Sequence, residues 1–278
     1  MSIGSLTRLT LLDLSENLLS STIPKVIATG LERLNILRLG FNDFSGEFFP
    51  PPLQMARNLL NEVNVSNNPR LIGQPLSYVR VIGLHDGLMA MIPYLTNITT
   101  LDLSNCSFTG QLFEAPYVKS IQYFNIADNK FSGYMPYTWS PDFRFENLQV
   151  FDGCRNDLDG EIPWRYFNRY APNLHTLQLS GNRFIGELPE EPRTVDNLLA
   201  TTMKVLDVSH NQLRSRMPAA TIGLFTELEK LFLHGNDLVG TIPSSIGSCN
   251  KLQHLSLSDN KFSGTLPVEL LQSSSLRK

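Results

Sequence analysis

The chain concentrates its candidate chemistry in two places. His210, Lys230, Phe232, His234 and His254 combine three imidazoles, an ammonium and an aromatic ring. Such a set suits recognition of an anionic or acidic group beside an aromatic anchor, with imidazoles that titrate in the physiological range. Tyr123, Asn125, Asp128, Val150, Asp152 and Arg155 make a second set, whose tyrosine and arginine are residue types that anchor interfaces. The competing reading of both is a solvated face of variable residues, with Tyr123 covering its neighbouring strand. Asp207, Ser209 and His210 hold the letters of a hydrolase triad. The Asp-x-Ser pair recurs as framework, however, as at Asp102 with Ser104, and no oxyanion arrangement accompanies it. His234 and His254 lack a carboxylate placed to complete a metal shell. No catalytic residue, metal or cofactor is therefore expected.

What positions these residues is a repeat. The spelling LxxLxLxxNxLxGxIP occurs ten times, from Leu9–Pro24 to Leu252–Pro267, with a period in the twenties apart from one wider gap. Its LxL half alternates, so that Leu101 and Leu103 point inward while Asp102 and Ser104 point out, as in a half-buried strand. One short parallel strand per copy follows, and outward residues should form ladders on the concave side. The mid-strand column runs Asp13, Arg38, Asn64, Asp102, Asn125, Asp152, Gln178, Asp207, Phe232 and Ser256. The same register sets Lys230 beside His254, and His234 between Ser209 and Ser258.

The slot after the strand holds Asn17, Asn42, Asn68, Asn129, Asn156, Asn182, Asn211, Asn236 and Asn260, with Cys106 in the fourth copy. An amide has donors and an acceptor, so it can satisfy backbone groups of neighbouring coils at once. Four residues on, most copies place a glycine, such as Gly46 or Gly264, where a tight bend needs one. Ser21 and Ser215 break that rule, which predicts looser or differently bent turns. Ile23, Phe48, Met135, Ile162, Leu188, Met217, Ile242 and Leu266 supply an apolar anchor. Gly153 takes an inward position that is aliphatic in the other copies. A gap is expected there unless neighbours fill it, and the sixth copy should be the least regular.

This lettering, above all the trailing FSGYMP, LDGEIP, LVGTIP and FSGTLP, resembles the plant-type leucine-rich repeats of receptor-like kinases, receptor-like proteins and secreted inhibitors of cell-wall-degrading enzymes. The resemblance covers nearly the whole chain and specifies scaffold more than activity. It implies an α/β repeat solenoid, a right-handed leucine-rich-repeat coil of about ten repeats with a parallel concave β-sheet. A second short strand in each trailing half is also implied. The implied function is non-catalytic recognition of a protein, peptide or glycan ligand along the concave face, as the ectodomain part of a receptor-like protein. The alternative is a secreted inhibitor of a cell-wall-degrading enzyme, and either would be extracellular or at the cell surface.

At 278 residues and 42% hydrophobic content the chain can bury a core, and a solenoid makes that core linear, so residues 1–278 read as one array. A net charge of −3 without a basic run argues against nucleic acid. The opening IGSLTRL resembles the inside of a repeat and the closing SSSLRK stops where another would begin, so the array is expected to lack its natural caps. Any membrane attachment is then expected in segments outside this chain. The apolar stretch Leu76–Leu95 contains Arg80, His85 and Asp86 and fails as a membrane span. Its extra length is either a packed convex-side helix or loop, or a partner-binding insertion. Cys106, Cys154 and Cys249 show no pairing motif, so paired cap cysteines lie outside this piece or the protein is intracellular. Asn64, Asn97 and Asn105 head glycosylation sequons, and a glycan on Asn64 or Asn105 would obstruct the concave face.

Overall fold

The computed structural model describes residues 3–48, 59–73, 79–80, 88–89, 97–112, 120–135, 145–189 and 198–272. They belong to two compact units, Met1–Phe145 and Glu146–Lys278. Each LxL half forms a three-residue strand that pairs in parallel with its equivalents. In the first unit the order is Leu11–Asp13, Ile36–Arg38, Glu62–Asn64, Thr100–Asp102 and Tyr123–Asn125. In the second it is Val150–Asp152, Thr176–Gln178, Val205–Asp207, Lys230–Phe232 and His254–Ser256.

Alternation decides which side of each strand is covered. Leu37, Val63, Leu101, Leu177, Leu206 and Leu231 are buried, as are Leu39, Val65, Leu103, Leu179, Val208 and Leu233 two positions on. The register aligns them without a slip, so that Leu12 meets Leu37 and Leu206 meets Leu231. A slip of one residue would turn this spine outward, which burial of about 1.5–3 kcal/mol per side chain opposes.

The asparagine slot works as its chemistry predicts. Asn211 Oδ1 accepts the Phe184 N–H at 3.0 Å, and its Nδ2 donates to the carbonyls of Leu179, Val208 and Ser209 at 3.0–3.1 Å. Asn68 repeats the pattern, accepting from Phe44 and donating to Leu39, Val65 and Ser66. Cys106 keeps only the donor half, its thiol reaching the Val65 carbonyl at 3.4 Å.

The trailing halves differ between the units. In the first, Ser20–Thr22, Asp43–Glu47, Arg70–Gly73, Ser107–Gln111 and Lys130–Tyr134 pair into a second parallel layer. Its inward aromatics stack along the coil, with Phe108 6.3 Å from Phe48 and 6.5 Å from Phe131. In the second unit the trailing strands among the described residues are Asp157–Asp159 and Val239–Gly240, the latter paired with Lys261–Phe262, and the remaining pairing is single bridges at Glu161–Ile185 and Arg216–Val239. Short helices, including Trp164–Tyr170 and Leu198–Thr202, carry the return path there.

Three expectations, for Ser21, the sixth copy and Leu266, meet a different outcome, while that for Ser215 holds. Ser21 adopts φ +79°, matching Gly46 at +78°, so its turn bends like the others despite the side chain. Ser215 does depart, staying out of the left-handed region, and its hydroxyl accepts the Leu188 N–H at 3.2 Å. The sixth copy is regular. The Gly153 N–H donates to Gln178 at 2.8 Å, and the space its side chain would need is taken by Leu179, Phe151 and Leu158. The larger Phe151 ring supplies volume that glycine lacks. Leu266 is 53% exposed instead of buried. Within the 76–97 insertion, Val79–Arg80 and Leu88–Met89 pair antiparallel; most of that segment lies outside the described residues, as do 1–2 and 273–278.

Candidate functional site

Strand register places the second unit's candidates. Lys230 and His254 are Cα partners, and Phe232 lies between Asp207 and Ser256. Lys230, His210 and His254 are exposed, whereas Phe232 and His234 are half-buried. The His210 ring packs edge-on against His234 with centroids 4.7 Å apart, and Phe232 approaches His234 on similar terms at 6.3 Å. His234 Nδ1 is buried and has no hydrogen-bond partner.

A backbone feature aims His210. The residue before the asparagine slot is left-handed in all ten copies, at Glu16, Phe41, Asn67, Asn105, Asp128, Arg155, Gly181, His210, Gly235 and Asp259, with φ between +48° and +68°. At Arg155 and His210 the side chain turns towards the next coil. A Cβ on Gly235 would stand 2.6 Å from His210 Nδ1, and one on Gly181 3.1 Å from Arg155 Cγ. Glycine in the next coil thus makes room for the longer side chain. Sequence reading missed this column; its signal was the Gly-Asn pair at Gly181–Asn182 and Gly235–Asn236.

The carboxylate and hydroxyl of the Asp-x-Ser pairs are engaged with each other. Asp207 accepts the Ser209 N–H at 3.0 Å and its hydroxyl at 2.6 Å, and Asp102 does the same for Ser104. The Asp-x-Ser pair is a turn lock, and Ser209 is buried. Among the described residues no group of three His, Cys, Asp or Glu could hold a metal ion, and no helix is long and apolar enough to cross a membrane.

The other candidate set falls on both units. Tyr123 and Asn125 lie on the first unit's last strand, where Asn125 donates to the Tyr123 hydroxyl at 3.1 Å and accepts the Ala127 N–H. Asp152 and Arg155 belong to the second unit's first coil, where Asp152 accepts the Cys154 N–H. Asn125 and Asp152 therefore commit an oxygen to their own turns.

Elsewhere in the first unit the outward charges match. Arg38 bonds Glu62 at 2.5 Å and Asp13 at 3.3 Å. The Glu62 hydrogen bond, then that to Asp13, holds the guanidinium further in its charged form. Asp13 is kept below the usual carboxylate range chiefly by the Ser15 hydroxyl.

All three cysteines are free and buried. Burial pushes Cys106 and Cys154 up to about 12 and Cys249 to about 11. Of the sequons, Asn97 is exposed in a turn. Asn64 is half-buried with its oxygen on Ser66, and Asn105 donates its amide to Asn67 at 2.8 Å.

Comparison with known proteins agrees with this architecture. The family model Leucine Rich Repeat matches residues 8–29, 97–117, 173–194, 227–249 and 251–272, and a second Leucine Rich repeat model matches 200–216. Receptor-like protein 35 of Arabidopsis thaliana is 42% identical over 254 residues, which is 86% of this chain and 23% of that protein. The chain spans less than a third of the length of the curated relatives it matches first. Among solved structures, a TDR receptor shares the fold with a TM-score of 0.81 at 24% identity, over 99% of this chain and 43% of its own. The ectodomain of the Arabidopsis receptor kinase HAESA, solved with a peptide hormone ligand, has a TM-score of 0.75 at 25% identity, over 99% of this chain and 46% of its own.

Proposed function

We propose that this chain, a plant-type leucine-rich-repeat protein, is a non-catalytic recognition segment of a receptor-like ectodomain that binds a peptide or protein ligand along the outward face of its strands, at the cell surface. The observation that carries this reading is the Lys230, Phe232, His234 and His254 cluster, presented in register on strands whose spacing of about 4.8 Å suits an extended ligand. Rigid strands leave little ordering entropy to lose on binding. The peptide hormone in the HAESA ectodomain structure supports the ligand class.

The test is a displayed random dodecapeptide library, panned on the purified chain and on a Lys230→Ala/Phe232→Ala variant. Native protein should enrich a defined peptide set, and the variant should lose at least about tenfold in affinity for it while melting at the same temperature, as loss of an interface anchor implies. Undiminished affinity in the variant would remove this face from the reading.

A further inference from the structure

Resting on that reading, we infer that His210, Lys230, Phe232, His234 and His254 form a subsite for an acidic side chain adjoined by an aromatic one, and that filling it draws a proton onto the His210–His234 pair.

The two histidines are additions to the framework. The column of His234 holds Cys154, Ser180, Ser209 and Ser258 in the neighbouring coils, so packing there requires only a small residue. The column of His210 holds Gly181 and Gly235 on either side, and His210 keeps φ +51°, a conformation glycine adopts without strain. His234 adds a buried Nδ1 with no partner. An unsatisfied buried nitrogen packed against the His210 ring, on a scaffold whose other such side-chain atom among the described residues is Thr221 Oγ1, points to function.

The surrounding charges determine what fits. On the preceding coil, Asp207 is bound to Ser209 and Lys204 precedes the strand. Lys230 lies on the same coil as His234, with Glu229 before it, and the following coil brings His254 and Asp259. Asp237 is held on the second layer by Arg214 at 3.1 Å and Lys261 at 2.6 Å. The groups that remain to meet a ligand beside Phe232 are therefore Lys230 and the three histidines, with the Asp207 carboxylate next to Phe232 turned onto Ser209 and with Glu229 and Asp259 at the edges. In either tautomer His234 Nδ1 lacks a partner. A ligand carboxylate that reached it would complete an ion-paired hydrogen bond, with the His210 ring turning aside and an aromatic neighbour lying on Phe232.

Proton uptake follows from the 4.7 Å separation of the two imidazoles. Two like charges at that distance resist ionising together, and a carboxylate beside Lys230 offsets the repulsion. The proton comes from solvent and the only bond formed is N–H. Affinity for the acidic ligand should rise on acidification, because the ligand carboxylate favours the charged form of the pair.

The probes are N-acetyl-Asp-Phe-amide and N-acetyl-Asn-Phe-amide, titrated into the full chain carrying ¹⁵N-histidine. The aspartyl dipeptide should bind about tenfold more tightly at pH 5.5 than at 7.5 and move the His210 and His234 ring nitrogens towards imidazolium shifts. The asparaginyl dipeptide should show neither effect. Calorimetry in two buffers of different ionisation heat should register proton uptake with the aspartyl probe only. His234→Ser and His210→Gly install residues that adjacent coils already carry, so both should fold and both should lose the pH dependence. Equal binding of the two dipeptides, no binding of either at 10 mM, or pH dependence surviving in both variants would overturn the inference. Each of those results leaves library enrichment by the native chain intact, whereas failure of that enrichment sinks the recognition reading itself.

Discussion

The two units share a framework and treat their outward charges in opposite ways. In the first, Arg38 is held between Asp13 and Glu62, so the column's strongest charges are matched within the sheet. In the second, Lys230 stands next to His254 with no carboxylate at ion-pair distance among the described residues. Framework residues recur in every coil, so they say nothing about where a ligand binds. Where internal pairing stops is what marks the candidate site.

The largest expected effect concerns what the units have in common. Asn68→Ala in the first and Asn211→Ala in the second each strip four hydrogen bonds and leave buried backbone groups unpaired. Each should lower stability by about 3 kcal/mol in denaturant unfolding. A loss below about 1 kcal/mol in one unit alone would break the premise of a shared framework.

Two serines at one repeat position sharpen the contrast in backbone. Ser215→Gly removes the acceptor for the Leu188 N–H and should destabilise by about 1–2 kcal/mol. Ser21→Gly relieves a serine at φ +79° and should stabilise by about 0.5–1 kcal/mol. Thermal melts giving both the same sign would sink this account of the two turns.

Thiol chemistry reports on each unit separately. Cys106 in the first and Cys154 in the second, both pushed to about 12, should resist iodoacetamide at pH 8 until unfolding exposes them. Mass spectrometry showing prompt alkylation of one in native buffer would mean that its unit opens alone.

The smallest effect is acid sensitivity. Asp13 is lowered first by Ser15, and Asp237 first by Lys261 and then Arg214. A depressed folded value makes the stabilisation fully present above the unfolded carboxylate value near 4, and it is lost as pH falls through the lowered folded value. Asp13→Asn and Asp237→Asn should each melt slightly below the parent at pH 6 and converge with it towards pH 2.5. Both groups are exposed, so the gap should also shrink in 1 M salt. A gap that persists in acid would exclude charge as its origin.

Much of the fold was legible because the determinants are local and repeated. The alternation around Leu101 and the amide slots at Asn68 and Asn211 each state their role in their own coil. Gly153 was misread because its missing volume comes from Phe151 two residues earlier and from Leu179 in the next coil. Ser21 was misread because neighbouring strand pairing holds it in the left-handed region against its own preference. For the candidate site, sequence register already set Lys230 beside His254. It did not show the edge-on approach of His210 to His234, which depends on a left-handed backbone and on the glycine facing it.

The sequence by itself determined the coil, its parallel strands, its asparagine ladder and which side chains face outward, because each copy repeats the same short-range instructions. Only the tertiary structure decided which outward side chains touch, which charges are neutralised and which buried nitrogen is left without a partner. Those outcomes depend on residues a full coil apart, brought within a few ångströms by stacking, and no single repeat contains them.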